Sequence, residues 1–173
     1  HSGHFGGAVA NPINELCRLI SKVTDADGRI TMPGFYDDVE ELSKEEREMI
    51  ASIPFDEARY KRAIDVEELS GEKGYSTLER NSCRPSFDVC GIWGGYTGEG
   101  SKTVLPSKAY AKVSCRLVPH QDHEKISRQF ADYLCSLAPK SIRVKVTPMH
   151  GGQGYVCPIT LPAYQAAAKG FEQ

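Results

Sequence analysis

The chain has 173 residues, of which 40% are hydrophobic, 25% charged and 9% aromatic, and its formal net charge is -2. These values fit one globular domain with at most a fragment of a second, and they exclude the disordered, fibrous and collagenous classes. The 21 basic and 23 acidic residues are interspersed, without the basic block of a nucleic-acid binder, and no apolar run approaches the roughly 18 residues of a membrane span.

The opening segment HSGHFGGA holds three glycines and no periodicity and reads as a tight loop. Asn11 as N-cap and Pro12 at the first helical position then start a helix. Its stripe is Ile13, Leu16, Cys17, Ile20 and Val23, widened by Leu19, and Asp25, Asp27 and Gly28 end it. Residues 29–82 read as a charged, mostly helical insertion lying on the surface. Inside it Ser43-Lys44-Glu45-Glu46 is a capping box leading into a helix that Pro54 stops, and a polar helix is expected from Asp56 to Leu69.

From Ser86 the period becomes two. Phe87, Val89, Gly91 and Trp93 alternate with Asp88, Cys90 and Ile92, predicting a strand that ends at Gly94-Gly95. In a second strand Ala109, Val113, Cys115 and Leu117 share one face, and Tyr110, Lys112, Ser114 and Arg116 the other. Asp122 caps an amphipathic helix that carries Ile126, Phe130, Tyr133, Leu134 and Leu137. Ile142, Val144 and Val146 define a last strand. Three strands are thus expected near 86–93, 109–118 and 142–148, with helices near 11–23 and 122–137.

That order predicts an α+β fold: a ferredoxin-like two-layer sandwich, with an antiparallel sheet, helices on one face and a helical insertion after the first helix. Only the opening strand is missing, and the pattern places it upstream of residue 1. Residues 1–150 are read as one domain and 151–173 as a linker, ending in a short helix from Ala163 to Gln173, that belongs to a neighbouring domain. The chain also lacks an initiator methionine and a signal-peptide pattern, so it is expected to be a piece of a longer protein. Six cysteines at irregular spacing, with no C-x-x-C pair, predict buried free thiols and a reducing, cytoplasmic compartment.

Few residues carry chemistry on their own. His1 and His4 stand in a glycine-rich loop with no third or fourth ligand at short spacing, so no metal site is predicted. Gly98-Glu99-Gly100-Ser101-Lys102-Thr103 lacks the spacing of a phosphate loop and reads as a hairpin connection. Arg116, opposite the apolar stripe near a strand end, is either a solvated strand residue or a fork for a carboxylate. His150-Gly151-Gly152 alone reads as a turn.

Jointly these segments resemble a known family. His1-Ser2-Gly3-x-x-Gly6-Gly7-x-x-x-Asn11-Pro12, then Gly100-x-x-Thr103-Val104-x-Pro106 with Arg116 and Pro119, then His150-Gly151-Gly152, follow the order of the lid, or dimerisation, domain of one metallopeptidase family. It is the family of the carnosine dipeptidases, glutamate carboxypeptidase, succinyl-diaminopimelate desuccinylase and aminoacylase. Thr103 and the long insertion favour its dipeptidase branch. The resemblance implies a homodimer, a dipeptide or N-acyl amino acid substrate, and a catalytic domain with two zinc or manganese ions into which the lid is inserted. No nucleic-acid or membrane partner is expected. None of the family's metal-ligand motifs occurs in these residues, so the chain alone is expected to be inactive. The resemblance makes His1 a donor to the scissile carbonyl or oxyanion in the partner subunit, and Thr103 a substrate contact near the same interface. It makes Arg116 and His150 the group that holds the dipeptide's free carboxylate. An amino-acid-binding regulatory module and a purely structural assembly domain are alternatives with the same topology.

Overall fold

The computed structural model describes residues 1–158 and 160–171. Side-chain caps set where its helices begin. The Asn11 side chain accepts from the Ile13 N–H ahead of Pro12, opening α2 (Pro12–Ser21), and that of Asp122 accepts from Lys125 to open α6 (His123–Leu137). The capping box at Ser43 starts α3 (Lys44–Ser52), and Asp56 caps α4 (Glu57–Ile64), which stops short of the expected Leu69. A second capping box, Ser76 with Glu79, starts α5 (Thr77–Ser82). The opening segment, expected to be a loop, forms the single helical turn α1 (Ser2–Phe5) because the His1 ring caps it. Residues 172–173, the end of the expected last helix, lie outside the described residues; α7 (Pro162–Phe171) buries no residue.

The sheet is an antiparallel hairpin of β1 (Ser86–Gly94) and β2 (Ala109–Arg116). Its register runs from Ser86 opposite Arg116 to Gly94 opposite Ala109, and it jumps at Cys90, where Val89 faces Val113 and Gly91 already faces Lys112. This β-bulge corrects the simple alternation read from the sequence. One extra residue reverses every later side chain, so Ile92 shares the helix side with Ala111 while Trp93 goes outward and stacks on Tyr110, with ring centroids 5.3 Å apart and planes within 12°. Residues 142–148 keep the predicted alternation, with Ile142, Val144 and Val146 packed half-buried against the core. Among the described residues they form no ladder, so the sheet has two strands where three were expected.

Helices α2 and α6 cover one face of the hairpin. Leu19 from the first, Val23 just beyond its end, and Ile126, Phe130 and Leu134 from the second join one cluster against Phe87, Val113 and Cys115, and the Phe87 and Phe130 rings lie 5.8 Å apart. The architecture is therefore α+β, an antiparallel sheet with helices on one face.

The insertion is not confined to the surface. Ile30, Met32 and Phe35 are among the most buried side chains, with Phe35 only 1% exposed, because the chain leaving α2 turns back over the core before it reaches α3. Its later part is fastened by charge. Arg84, 5% exposed, donates from Nε and Nη2 to both oxygens of buried Glu72 at 2.7 and 2.8 Å and from Nη1 to Glu41 at 3.2 Å. Arg29 donates to the same Glu72 and lies 3.9 Å over the Tyr36 ring. Arg47 grips Glu79 at 2.6 and 3.3 Å and holds its carboxyl down, from the usual 4.5 to about 2.

All six cysteines are free, as expected, yet none is buried. Cys90 sits on the bulge and Cys17 on the outer side of α2, so neither reaches the core. Cys115 is half-buried on the helix face, and burial, with Asp88 nearby, pushes its thiol up to about 11, which makes it a poor nucleophile.

Candidate functional site

Of the four candidate residues His1 and Thr103 touch, while Arg116 and His150 lie toward the other end of the hairpin. At one end of the hairpin Gly94 and Gly95 lie against α2: a Cβ on Gly94 would come 3.2 Å from Ile13 Cγ1, and one on Gly95 would come 3.1 Å from Ile13 Cδ1. That close approach brings the N-terminal segment beside the loop between β1 and β2. The Ser2 N–H donates to the Thr103 carbonyl at 3.2 Å, and His1 Nε2 lies 3.2 Å from Thr103 Oγ1.

The other ring nitrogen decides what His1 offers. His1 Nδ1 accepts from the Gly3 N–H at 3.1 Å, so in the neutral ring the proton resides on Nε2. Nε2–H then donates to Thr103 Oγ1, leaving the hydroxyl's own proton free to donate. A Cβ on residue 3 would meet Nδ1 at 3.1 Å and Cε1 at 3.3 Å, so glycine is what lets the ring fold back over its own backbone. The arrangement presents one free hydroxyl proton and, beside it, an imidazole N–H engaged with that hydroxyl's oxygen; donors of this kind stabilise a carbonyl oxygen gaining charge.

The second pair sits beyond the opposite end of β2. Arg116 is the last residue of that strand, on the exposed face with Tyr110, Lys112 and Ser114. The chain then turns through Pro119 and His120, whose φ of 74° is left-handed, into α6. Residues 151–154 pass over this turn. A Cβ on Gly151 would lie 2.5 Å from His123 Nδ1 and one on Gly154 3.6 Å from Pro119 Cα, and Gln153 Nε2 donates to the Gln121 carbonyl at 3.2 Å. His150 is thereby carried to the same end of the domain as Arg116, and both are exposed.

The pairs do not meet within one chain. Between Ala109 and Arg116 the strand spans roughly 23 Å at ~3.3 Å per residue, whereas a fully extended dipeptide spans only about 7 Å. Among the described residues no three His, Cys, Asp or Glu side chains cluster so as to hold a metal ion, so the ions implied by the resemblance do not fit within these residues. No helix among them is long and apolar enough to cross a membrane. Sequence reasoning missed the supports of these sites: Gly3, and the glutamines 121 and 153. The first was visible as a glycine beside a histidine. Nothing in the identity of a turn glutamine announces burial.

The α+β domain thus offers two separated sets of polar groups, and none of its described residues forms a cluster for a metal. Residues 1–142 match the family model of the peptidase dimerisation domain, and the chain belongs to that family. It is 32% identical to the Cys-Gly metallodipeptidase of Candida albicans over 98% of this chain and 36% of that protein, and 30% identical to the Beta-Ala-His dipeptidase of Rattus norvegicus over 99% and 36%. Among solved structures, a metallo-carboxypeptidase of the M20 family from Sulfolobus solfataricus superposes with a TM-score of 0.70 at 39% identity, over 79% of this chain and 36% of that one. Human carnosine dipeptidase 1 superposes with a TM-score of 0.68 at 33% identity, over 79% and 29%. The chain thus spans little more than a third of the length of the curated relatives named here.

Proposed function

We propose that this chain is the lid of a homodimeric, metal-dependent dipeptidase, and that its two ends serve two different active sites. The separation of the pairs carries this reading. Since one dipeptide cannot bridge the length of β2, His1 with Thr103 acts in the site of the partner subunit while Arg116 with His150 acts in the site of its own. The Thr103 hydroxyl proton, and His1 Nε2–H once it exchanges its bond to Thr103 Oγ1 for one to substrate, are offered to the carbonyl of the scissile bond, where charge develops. The Arg116 fork, which has no ion-pair partner among the described residues, takes the terminal carboxylate and sets register. A catalytic domain outside this chain supplies the zinc or manganese chemistry. The exposed side chains of Tyr155, Val156, Tyr164 and Phe171 support residues 151–173 as a segment that packs against that domain. Six unpaired thiols support a reducing, cytoplasmic location.

The test uses the two-domain parent. His1→Ala lowers kcat by roughly 100- to 1,000-fold, as loss of one oxyanion donor does, whereas Arg116→Lys chiefly raises KM. Mixing the His1→Ala enzyme with one disabled at its metal site regains activity, because each heterodimer holds one site with intact metal ligands and a histidine from the other subunit. No recovery after demonstrated subunit exchange would place His1 in its own chain's site and overturn the reading.

A further inference from the structure

We propose that Gln121, acting with Gln153, is a positioning residue for carboxylate recognition: it joins the turn after Arg116 and the segment after His150 into one unit. The proposal rests on the reading of Arg116 and His150 given above.

Gln121 is 1% exposed, as buried as the largest core side chains, although its amide needs partners on both ends. It has them. Oε1 accepts from the Val118 N–H at 2.9 Å and Nε2 donates to the Phe35 carbonyl at 2.8 Å. One partner is a donor and the other an acceptor, so only one orientation of the amide satisfies both. The side chain therefore pins the turn, two residues beyond Arg116, to the innermost residue of the insertion. Its main-chain carbonyl does the rest by accepting from Gln153 Nε2 at 3.2 Å. The same segment is pressed onto the turn at Gly151 against His123 and at Gly154 against Pro119.

A buried amide with no unsatisfied atom allows little drift, because breaking either bond leaves a desolvated group behind. The exposed Arg116 and His150 have no such restraint of their own. What fixes their spacing is the unit beneath them, and spacing decides whether a carboxylate is met by both groups at once. Phe35 enters this unit through its carbonyl as well as the core through its ring, so the insertion helps to set the recognition geometry.

The experiment measures steady-state kinetics of the parent enzyme on a dipeptide with a free carboxylate. Gln153→Ala removes one hydrogen bond at a part-buried site without opening the core. Its KM is expected to rise about 3- to 10-fold, the equivalent of one hydrogen bond, with kcat and Tm unchanged. In an Arg116→Lys background the same substitution adds less than about 2-fold, because the pair it aligns is already disabled. Gln121→Met moves KM in the same direction where the variant folds. A wild-type KM for Gln153→Ala, beside a raised KM for Arg116→Lys, would overturn the proposal and leave the carboxylate reading standing. A fall in kcat at unchanged KM would overturn it as well. A wild-type KM for Arg116→Lys would remove the carboxylate reading and this proposal with it.

Discussion

The hairpin with α2 and α6 is held by apolar burial, whereas the stretch that ends at Arg84 is held together by charge. In the first region Leu19, Val23, Phe130 and Leu134 belong to one buried apolar cluster, whose contacts are non-directional, so the loss of one leaves the others in place. In the second, Glu72 faces both Arg84 and Arg29, and Arg84 also reaches Glu41 and lies 4.2 Å over the Tyr75 ring. Tyr75 in turn donates to Glu41 at 2.6 Å. Here each bond depends on its partner's charge, and burial makes an abandoned partner expensive. The apolar region is tolerant in detail and the charged region is exacting in composition.

The sharpest way to break that contrast is to remove one member of the buried pair. Arg84→Met leaves the Glu72 carboxylate, 7% exposed, without its bidentate partner, and is expected to cost about 3 to 5 kcal/mol in urea unfolding. Adding Glu72→Met should recover most of that loss, since neither residue is then an uncompensated buried charge. A double variant no more stable than the single one would mean that the region is held by packing after all.

Acid offers a second, milder test. The Arg47 guanidinium holds Glu79 at about 2, against a usual 4.5, so the folded-state value is depressed. Its stabilisation is complete above pH 4.5 and is lost as pH falls from there towards 2. The loss is expected to reach about 2 to 3 kcal/mol, measured as the difference in acid unfolding between the native chain and Glu79→Gln, whose profile should be flatter over that window.

The smallest effect is expected on the open face of the hairpin. Trp93 and Tyr110 are each nearly half exposed and stack across the strands, and a double-mutant cycle with alanine at both positions should give a coupling of about 0.5 to 1.5 kcal/mol. No coupling would mean that the bulge at Cys90 does not turn Trp93 outward in solution.

The apolar region was the more legible in sequence. The N-caps Asn11, Ser43 and Asp122 all cap as expected, because a cap joins residues two or three positions apart. The box at Ser76 and Glu79 has the same Ser-x-x-Glu pattern and starts a helix inside the stretch expected to be mostly helical. The strand pairing was legible, but the face of Trp93 was not, since a bulge is visible only once the partner strand supplies the register. Of the candidate residues, Arg116 and His150 carried signals of type and position. That Thr103 and His1 would touch followed from neither, as they lie 102 residues apart.

Sequence by itself determined the local terms: where helices start, which period each segment follows, and therefore an α+β fold with helices on one side of an antiparallel sheet. Those features depend on residues within one or two turns of each other, so spacing alone encodes them. Only the tertiary structure decided which polar groups are buried and what they hold. Arg29 meets Glu72 across 43 residues and Gln121 meets the Phe35 carbonyl across 86. A hydrogen bond requires two atoms to arrive within about 3 Å in the right orientation, and the path of the intervening chain settles that.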